Sequence, residues 1–84
     1  MMLSEILQCL DTFDRGTIIA AKPWAPSSRA QVIEAPESGR AADMERDGMV
    51  YFLEVAIARE FKEDWPADER AFCERLIQYA INDA

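Results

Sequence analysis

Asp43-Met44-Glu45-Arg46-Asp47-Gly48, with Glu54 six residues further on, sets carboxylates at positions one, three, five and twelve of a twelve-residue stretch and a glycine at position six. Oxygen ligands at that spacing are what a calcium-binding EF-hand loop uses, with the glycine making the turn that wraps the chain around the ion. Two positions depart from the pattern, since Glu45 stands where a shorter Asp or Asn is usual and the bulky Tyr51 occupies the ninth place. Pro36, Ser38 and Gly39 also oppose the helix that should enter such a loop. The segment 43–54 therefore reads first as a solvated acidic loop ahead of a strand, with no metal assigned. A calcium-binding module through Asp43 to Glu54 is kept as an alternative function.

Catalytic chemistry finds little to work with. The chain has no histidine, the commonest general base and metal ligand. Cys9 and Cys73 both lie on or beside apolar stripes, where a thiol is held protonated, and neither has an imidazole to activate it. No Gly-x-Ser-x-Gly elbow, P-loop or Gly-x-Gly-x-x-Gly run is present. The expectation is a protein that is not an enzyme and needs no cofactor. The two cysteines read as buried thiols in a reducing cytosol, with a single Cys9–Cys73 disulfide as the other reading.

The acidic group Glu60, Glu63, Asp64, Asp68 and Glu69 around Trp65 is the more informative feature. Residues three or four apart on a helix are neighbours, so Glu60, Glu63 and Asp64 crowd one edge at a cost of about 0.2–0.5 kcal/mol per like-charged pair. Either this is an ordinary solvated face moderated by Arg59 and Lys62, or it is a surface that docks against a basic groove with carboxylates in place of nucleic-acid phosphates. Trp24, in a loop with two prolines and two serines, has two readings as well: a lid over the core edge, or an exposed anchor for a partner.

These residues need elements to hold them. Leu3, Ile6, Leu7, Leu10 and Phe13 recur at spacings of three and four, predicting a helix over 4–13 with Ser4 as its N-cap and Gly16 able to end it. The β-branched run 17–21, bounded by Gly16 and Pro23, predicts a strand, and 30–35, stopped by Pro36, predicts another paired antiparallel to it. Residues 36–48 show no sustained apolar period and read as a mobile surface loop. The run 49–54 reads as a third strand leading into a helix over 56–64, the alternative being one continuous helix over 50–64 beside a two-stranded hairpin. The residue before Pro66 is pushed out of helical geometry, so a last helix is predicted over 66–81, with Phe72, Cys73, Leu76, Ile77 and Ala80 buried.

Eighty-four residues make one small domain, 1–84, with a stability of about 4–13 kcal/mol. Half of the residues are hydrophobic and almost a third charged, which argues against disorder. The net charge of −7 argues against direct binding to nucleic acid or to an anionic membrane and favours a basic partner. Residues 1–36 hold four acids and three bases and 37–84 hold twelve and six, so the excess lies in the second part. No apolar run reaches the ~18 residues of a membrane span, and the start lacks the basic region of a signal peptide, so a soluble, cytoplasmic protein is expected.

The run Tyr-Phe-Leu-Glu-Val-Ala-Ile-Ala-Arg-Glu-Phe from Tyr51, and Cys-Glu-Arg-Leu-Ile-Gln-Tyr-Ala-Ile-Asn-Asp-Ala from Cys73, resemble a family of small acidic bacterial and phage proteins of unknown function. The N-terminal helix and the Trp24 loop are similar in placement. The resemblance implies a bacterial or phage origin and a cytoplasmic location, and no activity.

The fold expected is α+β, a small three-stranded antiparallel sheet covered on one face by three helices in the order α-β-β-β-α-α. Its core should include Leu3, Ile6, Leu7, Leu10, Ile18, Val32, Leu53, Ile57, Phe61, Phe72, Leu76 and Ile77. The function expected is a non-enzymatic acidic inhibitor of a basic, nucleic-acid-handling protein such as a nuclease, of the anti-CRISPR or toxin-immunity type. Its partner-binding residues would be Glu60, Glu63, Asp64, Trp65, Asp68, Glu69 and Trp24. A homodimerising accessory domain, with Trp24 and Trp65 as contacts, is the plainer alternative.

Overall fold

Gly16 opens the sheet rather than closing a helix. The computed structural model describes residues 1–65 and 68–83, and its elements run α1 (Leu3–Gln8), a 3-10 turn (Leu10–Thr12), β1 (Thr17–Ala21), β2 (Ala30–Ile33), a second 3-10 turn (Ala41–Met44), β3 (Met49–Glu54), α2 (Val55–Glu63) and α3 (Glu69–Asp83). This is the expected α+β order, with an antiparallel sheet ordered β2-β1-β3. Gly16 has φ +132°, a backbone region closed to side-chain-bearing residues. An added Cβ would stand 2.7 Å from Val32 Cγ1, so glycine also admits the close approach of β2.

The first helix is shorter than its stripe. Cys9 leaves helical geometry at φ −121° and ψ 33°, and Leu10–Thr12 tightens into the 3-10 turn, which still buries Leu10. Ser4 is not the cap. Met2 holds that position, its N–H donating to Glu5 Oε1 at 2.7 Å. Two further orphan N–H groups of the first turn, those of Leu3 and Ser4, donate to Ser28 O at 2.7 Å and Pro26 O at 2.9 Å in the β1–β2 connection. Tertiary carbonyls thus do the work expected of a hydroxyl.

β1 and β2 pair from Thr17 opposite Ile33 to Ala20 opposite Ala30, and β2 stops short of residue 35 because β1 begins at Thr17. β3 pairs on the other side of β1 with a register shift between Ile18 and Ile19. Ile18 faces Leu53 and Ile19 faces Tyr51, leaving Phe52 as the extra residue of a bulge. Strict alternation would send Phe52 and Leu53 to opposite faces. The bulge lets both enter the helix-covered core, at 2% exposure each.

That core joins Leu3, Ile6, Leu7 and Leu10 to Ile18, Ala20, Phe52 and Leu53 of the sheet and to Phe72, Cys73, Leu76, Ile77 and Ala80 of α3. Val32, Ile57 and Phe61, expected in the core, are partly buried and pack at its rim. Residues 36–48 are not a featureless loop: the 3-10 turn Ala41–Met44 inserts Met44, 4% exposed, beside Ile19 and Met49 on the opposite face of the sheet. Asp47 takes φ +49° in the turn that follows, and its carbonyl accepts a hydrogen bond from Arg29 Nη2.

The expected start of the last helix at Pro66 lies outside the described residues. Within them Asp68 caps α3, its Oδ1 accepting from Ala71 N–H at 2.9 Å and its carbonyl from Phe72 N–H at 3.0 Å. No helix among the described residues is long and apolar enough to cross a membrane. Both cysteines are free thiols, Cys73 buried and Cys9 half-buried, with Cys9 Sγ donating to Glu5 O at 3.0 Å.

Candidate functional site

The stretch 43–54 does not converge on a common centre. Asp43 Oδ2 already accepts from Ser38 Oγ at 2.6 Å and pairs with Arg40 Nε at 3.3 Å. Arg46 Nη1 donates to the carbonyls of Asp43 and Glu45, at 2.9 and 3.0 Å. Ser38 and Arg40 thus already engage the carboxylate oxygen that a cation would need at the first position of the loop. Glu54, the expected bidentate ligand, ends β3 opposite Thr17, and five steps of extended chain at ~3.3 Å carry it roughly 16 Å from Met49. Among the described residues no group of three or more His, Cys, Asp or Glu could hold a metal ion.

The acidic edge is assembled by α2. Val55 and Ala58 are buried and Ile57 and Phe61 pack at the core rim, which leaves Glu60 and Glu63 exposed on the outer side and Asp64 exposed at the helix end. Arg59 does not moderate them, because its Nη1 reaches across to Phe13 O at 3.3 Å. None of Glu60, Glu63 and Asp64 enters an ion pair among the described residues. The three carboxylates also stand at the C-terminal end of α2, where the backbone carbonyls concentrate negative charge. Each acid there costs about 0.3–1 kcal/mol, whereas Asp68 and Glu69 at the start of α3 sit where the dipole favours them. Lys62 in the same last turn offsets part of that cost, so the α2 end is the less compensated part of the edge.

Beside it lies a shallow cleft of about 360 Å³ lined by Glu60, Phe61, Asp64, Trp65 and Arg75. Phe61 stacks at a tilt against Tyr79, ring centroids 4.7 Å apart. Arg75, exposed on α3, holds its guanidinium carbon 5.9 Å from the Phe61 centroid. Trp65 is half-buried and packs on the core, and its backbone N–H donates to Lys62 O at 3.2 Å. Its indole Nε1 is buried with no hydrogen-bond partner among the described residues, a situation that costs about 1–3 kcal/mol when a buried donor stays unpaired.

Of the residues expected at a binding surface, Glu60, Asp64 and Trp65 come together in this cleft. Glu63 is exposed on the same helix but does not line it, and Asp68 and Glu69 are exposed at the start of α3. Asp68 is partly committed to capping. Trp24 is elsewhere and acts as a lid: its ring meets Phe52 edge-on at 5.0 Å, its Nε1 donates to Ala20 O at 3.1 Å, and Lys22 Nζ lies 4.9 Å from its centroid. Arg75 was not foreseen. It stands fourteen residues from Phe61, and only the packing of α3 against α2 brings the two together.

A second cleft of about 450 Å³ opens at the end of the sheet among Arg15, Gly16, Thr17, Glu34, Ala35, Glu54 and Ala56. Its Arg15–Glu34 pair, at 3.8 Å, joins side chains 87% exposed on both sides, so solvent screens it. No family model, curated protein or solved structure matches this chain.

Proposed function

We propose that this chain is a non-enzymatic acidic inhibitor that binds a basic, nucleic-acid-handling protein, acting in the cytoplasm as an anti-defence or toxin-immunity protein of bacterial or phage origin. The observation that carries the reading is the set of exposed carboxylates of Glu60, Glu63 and Asp64, without an ion pair among the described residues, at the C-terminal end of α2 beside half-buried Trp65. Stability is given up there, in like-charge repulsion and against the helix dipole, with no compensating ion pair among the described residues. A basic groove that normally takes phosphates would repay that cost on binding, and long-range attraction to a chain of net charge −7 would speed encounter.

The test is capture from bacterial lysate on immobilised wild-type chain, with a variant carrying Glu60→Lys, Glu63→Lys and Asp64→Lys as comparison. Wild type should retain basic nucleases or nucleic-acid-binding proteins at low salt and release them steeply as salt rises. The variant, with its far-ultraviolet circular dichroism unchanged, should retain none of them. Equal retention by the two chains would remove the acidic edge from the binding surface.

A further inference from the structure

We infer that the cleft between α2 and α3 is a receptor for one arginine residue projecting from the basic partner, a reading that rests on the proposed function and names the contact that function would use. Its walls offer the three things a guanidinium takes from a protein: an aromatic face from Phe61 and two carboxylates from Glu60 and Asp64. The site already holds a loose occupant. The Arg75 guanidinium sits 5.9 Å from the Phe61 centroid, making no ion pair with Glu60 or Asp64 among the described residues. Arg75 is exposed and approaches from α3, so a guest entering from solvent can displace it.

The unpartnered Trp65 Nε1 is independent of the charges and points the same way. Among the described residues it is a buried donor without an acceptor, on a side chain that lines the cleft, and an arginine residue brings with it a backbone carbonyl. A small shift of the half-buried ring, as the guest seats, would let that carbonyl accept the indole N–H. A volume of about 360 Å³ lies at the lower end of the roughly 300–1,000 Å³ of ligand sites and suits one side chain. Arginine is favoured over lysine because a planar guanidinium stacks on a ring and spans two carboxylates, where an ammonium is a point charge.

The test is a two-dimensional NMR titration of the isotope-labelled full chain with N-acetyl-arginine N-methylamide, and separately with its lysine and citrulline counterparts. The arginine amide should move the Trp65 indole N–H resonance and leave that of Trp24, already bonded to Ala20 O, in place. Citrulline amide should move neither, and lysine amide should bind roughly threefold more weakly than arginine amide or worse. Arg75→Ala, at an exposed position, should tighten arginine binding by roughly threefold, and Glu60→Gln with Asp64→Asn should weaken it by about tenfold. No shift with arginine amide, an equal shift with citrulline or lysine amide, or an Arg75→Ala variant that binds no better would each overturn the assignment. A chain that binds arginine amide but captures no basic protein keeps the cleft and loses the inhibitor reading. A chain whose capture of a basic protein is insensitive to Arg75→Ala and to the Glu60/Asp64 pair keeps the inhibitor reading and loses the cleft.

Discussion

On one face of the sheet Ile18, Ala20, Phe52 and Leu53 meet three helices, whereas on the other Ile19 and Met49 meet Met44 from a four-residue 3-10 turn, with Ala21, Ile33 and Tyr51 at the margin. The first face is built by repetition. Stripes at spacings of three and four bring a row of apolar side chains from each helix, so losing one side chain leaves the rest in register. The second is built by insertion, a thioether entering from a segment otherwise made of Asp, Glu, Arg and small residues. Its turn is held by surface bonds such as Arg40 to Asp43 and Arg29 to the Asp47 carbonyl. Exposed bonds of that kind compete with water and contribute little each, so the covered face should carry most of the stability and the opposite face should open first.

The largest effect expected is that of Phe52→Ala, which empties the bulge position and removes the ring that meets Trp24. It should cost about 3–5 kcal/mol, enough to unfold a large fraction of a domain this small, and a urea titration would show it. Met44→Ala should cost about 2 kcal/mol, the lower end for a buried methionine, since a surface turn can collapse over the vacancy more freely than a helix can. Hydrogen exchange would sharpen the comparison. That variant should speed exchange around Met49 while leaving the amides of α1 and α3 protected, and a loss of protection across all elements would show the two faces to be one cooperative unit.

Asp68→Ala acts on the covered face through its longest helix, removing the acceptor for Ala71 N–H, and should lower stability by about 1 kcal/mol. The smallest effect is set by pH. Burial first, and the neighbouring Glu74 second, push the Cys73 thiol above its ordinary value. A raised value means that the folded state keeps the proton longer than the unfolded chain. The associated stability is therefore complete below the unfolded thiol's value of about 8.5 and is lost as pH rises through the folded one. The stability difference between wild type and Cys73→Ala should narrow above about pH 8.5. A difference constant across the alkaline range would contradict the buried thiol.

The sheet, its pairing and the β3–α2 boundary were legible in the sequence, because β-branched runs and helical spacing are local signals. Phe52 is not among the core residues that the sequence predicts, and alternation admits only one of Phe52 and Leu53 to a face; the bulge that admits both depends on how β3 meets β1. Met44 was hidden for a related reason, being a single apolar residue in a polar run that forms no period. The local pattern predicts Ser4 as the cap because the carbonyls of Pro26 and Ser28, which accept from the first turn, cannot be seen from the helix itself. At the candidate site the exposed carboxylates stand where helical spacing put them. The cleft beside them needed the helix pairing, which no local pattern encodes, and so Arg75 went unread.

The residues before α1 have a consequence for self-association. Met2 bridges antiparallel to Arg29, and Ala30 N–H donates to Met1 O at 2.7 Å, on the outer side of β2. An edge strand with free amide groups is a template on which another chain's strand can pair. Here the chain's own opening residues fill that template at Ala30. Displacing them would bare the rim of the sheet, so Met1 and Met2, exposed though they are, serve as a guard that keeps one copy of the sheet from extending into the next.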